Sequence, residues 1–116
     1  MGTAPVRMRV RWNVTPSEAR TIAAALQTLM LQTRNRHGCA SCSVVTEMGA
    51  HPRIEYVEEW QSEQGLRRQI RSDRFARLAE LMEHATDRPV VTFDLAGGIT
   101  RNLDYAVDVR QSPRLR

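Results

Sequence analysis

At 116 residues, 41% hydrophobic and 26% charged, the chain has the size and composition of one globular domain built on one core. Its net charge is +4 with a pI near 10.0, and all 17 basic residues are arginine. The absence of lysine excludes Schiff-base chemistry, lysine general bases and a P-loop, and no apolar run approaches the roughly 20 residues that span a bilayer.

The opening Met1-Gly2-Thr3-Ala4-Pro5 lacks the charged and apolar regions of a signal peptide, and Val6 stands where a myristoylation signal needs Ser or Thr. A cytoplasmic protein, with Cys39 and Cys42 reduced, is the expectation.

Val6 to Val14 alternates without a break. Val6, Met8, Val10, Trp12 and Val14 point one way and Arg7, Arg9, Arg11 and Asn13 the other, which predicts a strand with one buried face. Thr15-Pro16-Ser17-Glu18 carries the N-cap, the favoured first-turn proline and the capping-box glutamate of a helix. Ile22, Leu26, Leu29, Met30 and Thr33 continue that helix to Gly38. Cys39–Met48 and Ile54–Trp60 read as two strands of a hairpin turned through Gly49 and Pro52. Ser62 caps a short helix carrying Leu66 and Ile70; Ser72 or Asp73 starts another, after a kink, that ends before Pro89. Val90–Leu95 is a fourth strand and Gly97-Gly98 a turn. Leu103–Val109 is expected as a fifth strand or an arm, and residues 112–116 as a frayed end.

The order strand, helix, strand, strand, helices, strand predicts an α+β, ferredoxin-like subunit: one antiparallel sheet with helices on one face. One domain spans residues 1–116, with its core in about 6–110. In this arrangement the third strand lies beside the first, so Arg7, Arg9 and Arg11 share the open face with Glu55 and Glu59. A second copy of the sheet is the simplest cover for that face, which predicts a homodimer.

Arg53 to Arg77 holds the one constellation with the look of a site. Ile54, Tyr56, Glu58 and Trp60 fall on one face of a strand, so a carboxylate is set among aromatics toward the interior. A buried carboxylate has a raised pKa unless paired, and such a group can take the proton of a phenolic hydroxyl. Trp60, Tyr56 and Trp12 are candidates to stack a flat substrate. The competing reading makes Glu58 a structural carboxylate bonded to helix amides or an arginine, and the aromatics ordinary core.

The alternating first strand leading into TPSE, the RHGCASC stretch, YVEEWQSEQGL with RSDRF behind it, and the final LDYAVDVR together resemble the antibiotic biosynthesis monooxygenase (ABM) superfamily, of dimeric α+β-barrel fold. The resemblance implies a homodimer whose sheets pack together, with a site between sheet and helices in each subunit. It also implies oxidation of quinols or polyphenols by molecular oxygen with no metal or flavin, hence no cofactor here. Glu58 and Trp60 occupy matching positions, with Trp12 a further one. Many members carry a histidine on the helix nine residues after the tryptophan; here Gln69 stands there, a substrate-binding candidate in its place. No histidine lies between His51 and His84 to serve as an axial haem ligand, which argues against haem cleavage. Gln69 also favours an alternative, a non-catalytic binder or sensor of small molecules.

Two other features carry less. Cys39 and Cys42 enter a strand, where positions i and i+3 face opposite ways; with His37 they make three potential zinc ligands where a structural site wants four, so no metal is expected. Arg67, Arg71 and Arg74 share a helical face if the helix continues through Ser72, and Arg68 and Arg77 extend a basic surface. Without interleaved aromatics or an RNA-binding motif, nucleic acid is not the expected partner; a small aromatic molecule is.

Overall fold

The computed structural model describes residues 5–112. The fraying expected of the last four residues, 113–116, lies outside them. The elements are β1 (Val6–Asn13), α1 (Pro16–Arg34), β2 (Cys39–Glu47), β3 (Arg53–Trp60), α2 (Glu63–Ile70), α3 (Asp73–His84), β4 (Val90–Leu95), a 3-10 turn (Ala96–Gly98), β5 (Ile99–Arg101) and α4 (Asp104–Gln111). The five strands form one antiparallel sheet in the order β2-β3-β1-β4-β5. This is the α+β, ferredoxin-like arrangement that the element order predicts, with β3 beside β1.

The alternation along β1 and β3 sorts their side chains as period two requires. Val6, Met8, Val10 and Trp12 are buried on one face with Ile54, Tyr56, Glu58 and Trp60, beneath α1, α2 and α3. On the other face, Arg7 meets Glu59 at 2.7 Å and Arg11 meets Glu55 at 3.0 Å across the β1–β3 pair. Such half-exposed pairs contribute roughly 0.2–1 kcal/mol each. The cross-strand register adds a row of Val45, Glu55, Arg11 and Val90 to that face, its two valines 58% and 61% exposed.

The helices start where their caps dictate. Thr15 Oγ1 accepts from the Glu18 amide and Glu18 Oε1 accepts from the Thr15 amide, a complete capping box. Ser62 and Ser72 each accept an amide three residues on, so α2 and α3 are separate helices. The break expected near Ser72 is present: Ser72 has extended backbone and begins a new helix, so Arg67, Arg71 and Arg74 do not share one continuous helical face.

The C-terminal segment corrects the expectation of a strand or arm at Leu103–Val109. It is helix α4, and the short fifth strand is Ile99–Arg101 instead. The alternation of Leu103, Tyr105, Val107 and Val109 imitates a strand, yet the buried residues are Tyr105, Ala106 and Val109, a helical set, with Leu103 and Val107 exposed. Asn102 Oδ1 accepts from the Asp104 amide at the helix start. Tyr105 donates to Glu63 at 2.6 Å and Arg110 to the Ile70 carbonyl at 2.7 Å, so α4 packs on α2 of its own chain. No helix among the described residues is long and apolar enough to cross a membrane.

Candidate functional site

β3 delivers the central carboxylate. Glu58 lies across from Met8 on β1 and Cys42 on β2, and the strand alternation turns it inward, where it is 1% exposed. Three neutral donors meet it. Tyr56 donates its hydroxyl to Oε2 at 2.6 Å, Trp60 its indole N–H to Oε1 at 2.9 Å, and Gln69 its amide to Oε2 at 3.3 Å. Tyr56 and Trp60 reach Glu58 because residues i−2 and i+2 of a strand share its face.

The network extends on both sides. The Cys42 thiol donates to the Tyr56 hydroxyl at 3.3 Å. Gln69 also donates to Thr33 Oγ1 at 3.2 Å, while its Oε1 accepts from Arg74 Nε at 2.9 Å. Gln69 is thereby fixed between the buried carboxylate and a guanidinium at the surface.

Burial dominates the electrostatics. Desolvation raises the Glu58 pKa above the usual carboxylate range, against the opposing bonds from Tyr56, Trp60 and Gln69 and the charge of Arg74. Burial, then the Glu58 charge, raises the Tyr56 phenol far above its ordinary value. Burial likewise pushes the Cys42 thiol up to about 12. Tyr56 is thus a neutral hydroxyl that can turn: it donates to an ionised Glu58, and could accept from a protonated one while donating to Cys42 Sγ.

Above this network opens a cleft of about 870 Å³ whose lining includes Trp60, Gly65, Gln69, Arg68, Arg71 and Arg74. Two glycines let it approach the indole. A Cβ at Gly65 would stand 3.3 Å from Trp60 Cε3, tighter than ordinary contact, and Gly38, at φ +85°, holds a conformation that disfavours a side chain.

Of the sequence candidates, the structure brings Tyr56, Glu58, Trp60 and Gln69 together. It does not bring Trp12 to them. Trp12 pairs with Ile54 while Trp60 pairs with Val6, about 20 Å apart along the sheet. Trp12 is buried there with its Nε1 unpartnered among the described residues. Cys42, Thr33 and Arg74 complete the network; the sequence offers Cys42 only as a potential zinc ligand and Arg74 only as part of a basic surface. Thr33 had a legible signal, an inward position in the helical spacing of α1.

A second correction concerns the cysteines. A bulge between Cys39 and Ser41 inserts one residue, so Cys39 pairs with Trp60 and Cys42 with Glu58, both inward positions. The opposite-face geometry expected of i and i+3 does not hold here, and both thiols are free. Among the described residues no three His, Cys, Asp or Glu side chains converge on a common metal position.

No protein-family profile and no curated protein sequence matches this chain. Solved structures do. A conserved protein from Methanosarcina mazei Go1 superposes with a TM-score of 0.69 at 22% identity, over 81% of this chain and 94% of that one. A candidate antibiotic biosynthesis monooxygenase from Caulobacter crescentus CB15 superposes with a TM-score of 0.66 at 17% identity, over 78% of this chain and 88% of the other. The chain has the ABM-like fold. A protein of unknown function from Bacteroides thetaiotaomicron VPI-5482, described as a possible oxidoreductase, shares the ABM-like architecture at a TM-score of 0.67 and 13% identity, over 87% and 99% of the two chains. At these identities the likeness carries the fold and not an activity.

Proposed function

We propose that this chain is a cofactor-independent monooxygenase-like protein that oxidises an electron-rich aromatic, a quinol or polyphenol, with molecular oxygen. The observation that carries the reading is Glu58: a carboxylate of raised pKa, buried beside a cleft whose lining includes Trp60. Glu58 takes the proton of a phenolic hydroxyl. Its contact to Gln69, at 3.3 Å the longest of its three bonds, is the one that yields to the substrate. Trp60 and Tyr56 hold the ring at the sheet side, and Gln69 steers the hydroxyl. The substrate anion supplies all four electrons that oxygen requires: the quinol becomes a quinone, one ring C–H becomes C–OH, and the second oxygen atom leaves as water. The named neighbours support this class, and the bond from Gln69, which lines the cleft, to the buried Glu58 supports its chemistry.

Oxygen uptake by metal-stripped protein with a panel of quinols and polyphenols should exceed the autoxidation rate. Uptake at the autoxidation rate across the panel, with ligand-dependent melting, would instead support a non-catalytic binder of small molecules. One observation favours that second reading: at 1% exposure, both oxygens of Glu58 already have donors within the protein.

The proposed assembly is a homodimer through the open sheet face. There the exposed Val45 and Val90 flank the Glu55–Arg11 pair, whose mutual neutralisation lets a second sheet approach. Light scattering at micromolar protein should return the mass of two chains; a monomeric mass contradicts the dimer.

A further inference from the structure

The lining of the cleft around Trp60 is rich in guanidinium groups. Arg36 comes from the turn after α1, Arg67 and Arg68 from α2, Arg71 from the α2–α3 junction and Arg74 from the first turn of α3. Among the described residues no carboxylate lines the cleft. Among the described residues Arg67 alone of the five has an acidic partner, Glu63 at 3.3 Å. Of the ten other described arginines, half pair with a carboxylate. Arg7, Arg11, Arg53 and Arg101 each sit against a carboxylate within 3.2 Å.

Four successive segments, two helices and two turns, thus converge unneutralised cations on one concavity. The crowding is felt: burial first, and then the like charge of Arg36, push the Arg74 guanidinium below its ordinary pKa. Like charges gathered without a counter-ion destabilise the empty protein, and an anion placed among them relieves the repulsion. Arg74 is also oriented rather than loose, since its Nε is fixed on Gln69 Oε1 at 2.9 Å, at the cleft floor. A volume of about 870 Å³ lies in the range of pockets for ring-bearing small molecules and exceeds what a lone inorganic ion fills.

We propose that the cleft takes a small aromatic acid, its ring toward Trp60 and its carboxylate, sulfonate or phosphate among Arg36, Arg68, Arg71 and Arg74. The placement of the ring rests on the function proposed above; the placement of the acid group rests on the arginines alone. It narrows the substrate class from any quinol to one that carries an anionic group. Guanidinium is suited to this task because its planar fork meets two oxygens of an acid at once.

Calorimetric titration with a matched pair tests the inference: 2,5-dihydroxybenzoate, and hydroquinone as the same ring without the carboxylate. The acid should bind at least about tenfold more tightly, and added salt should weaken it more than the neutral ring. Arg68→Gln and Arg71→Gln should each lower affinity for the acid about five- to tenfold and leave that for hydroquinone unchanged. Arg20→Gln, on an exposed part of α1 outside the cleft, should change neither. Equal affinity for the two compounds, or no binding of the acid at millimolar concentration, overturns the inference. Oxygen uptake in the same samples separates the two proposals. Acid-selective binding without uptake keeps the anion site and removes the oxygenase; unselective binding with uptake does the reverse.

Discussion

Glu58→Gln is expected to lower quinol-dependent oxygen uptake by about 10²- to 10⁴-fold, the range that a positioned general base contributes. The amide keeps the shape of the side chain and removes its capacity to take a proton. It also misfits its partners. Tyr56, Trp60 and Gln69 all donate to Glu58, so the new NH2 faces at least one N–H or O–H donor and leaves a buried group unpaired, at about 1–3 kcal/mol. Unfolding across pH distinguishes loss of the base from loss of the fold. The folded pKa of Glu58 lies above its unfolded value, so between the two the native state binds more protons than the unfolded state. The native protein therefore loses stability as pH rises from about 4.5 through the raised value, and Glu58→Gln lacks this loss. The variant should be less stable than the native protein at the acid end of that window and approach it as pH rises. A difference that stays constant with pH contradicts a raised Glu58 pKa, while unchanged uptake removes Glu58 as the base.

Trp60→Ala is expected to have the largest effect on stability. Trp60 is 2% exposed, and truncating a buried aromatic to alanine costs about 3–5 kcal/mol. The change also takes from Glu58 Oε1 its donor at 2.9 Å and opens the cleft floor beside Gly65. Against a typical total of about 5–15 kcal/mol, the loss removes much of the stability of the domain. Trp60→Phe separates the two contributions: it keeps most of the ring contact and deletes the N–H, for about 1–3 kcal/mol. Denaturant unfolding should rank the proteins native, Trp60→Phe, Trp60→Ala. A Trp60→Ala variant within about 1 kcal/mol of native contradicts the role of the indole as both core and donor.

Much of this arrangement is legible in the chain wherever one local signal has one structural solution. The alternation of Val6 to Asn13 admits only a half-buried strand, and Thr15-Pro16-Ser17-Glu18 only a helix start. The same alternation in β3 places Tyr56, Glu58 and Trp60 on a shared inner face without any knowledge of the tertiary structure. What escapes are features that a neighbour decides. The α4 sequence satisfies period two by accident, and docking on α2 through Tyr105 and Arg110 selects the helix. The bulge at Cys39–Ser41 belongs to the pairing of β2 with β3, so it turns the two thiols to one face in a way no spacing rule on β2 foretells. Trp12 looks equivalent to Trp60 by pattern, and only the antiparallel register sends them to opposite ends of the sheet. The arginine cleft is assembled across the break at Ser72, which read from sequence is a reason to separate Arg67 from Arg74.

The central claim is that Glu58 is a buried carboxylate ready to accept a proton, and a carbon-detected NMR titration of its side-chain carboxyl measures this without a substrate in hand. The resonance is assigned by its loss in Glu58→Gln. A midpoint above 4.5 is the result the structure predicts. A midpoint at or below 4.5 would mean that its three donors outweigh burial, leaving Glu58 a permanently ionised structural acceptor and the cleft without its base.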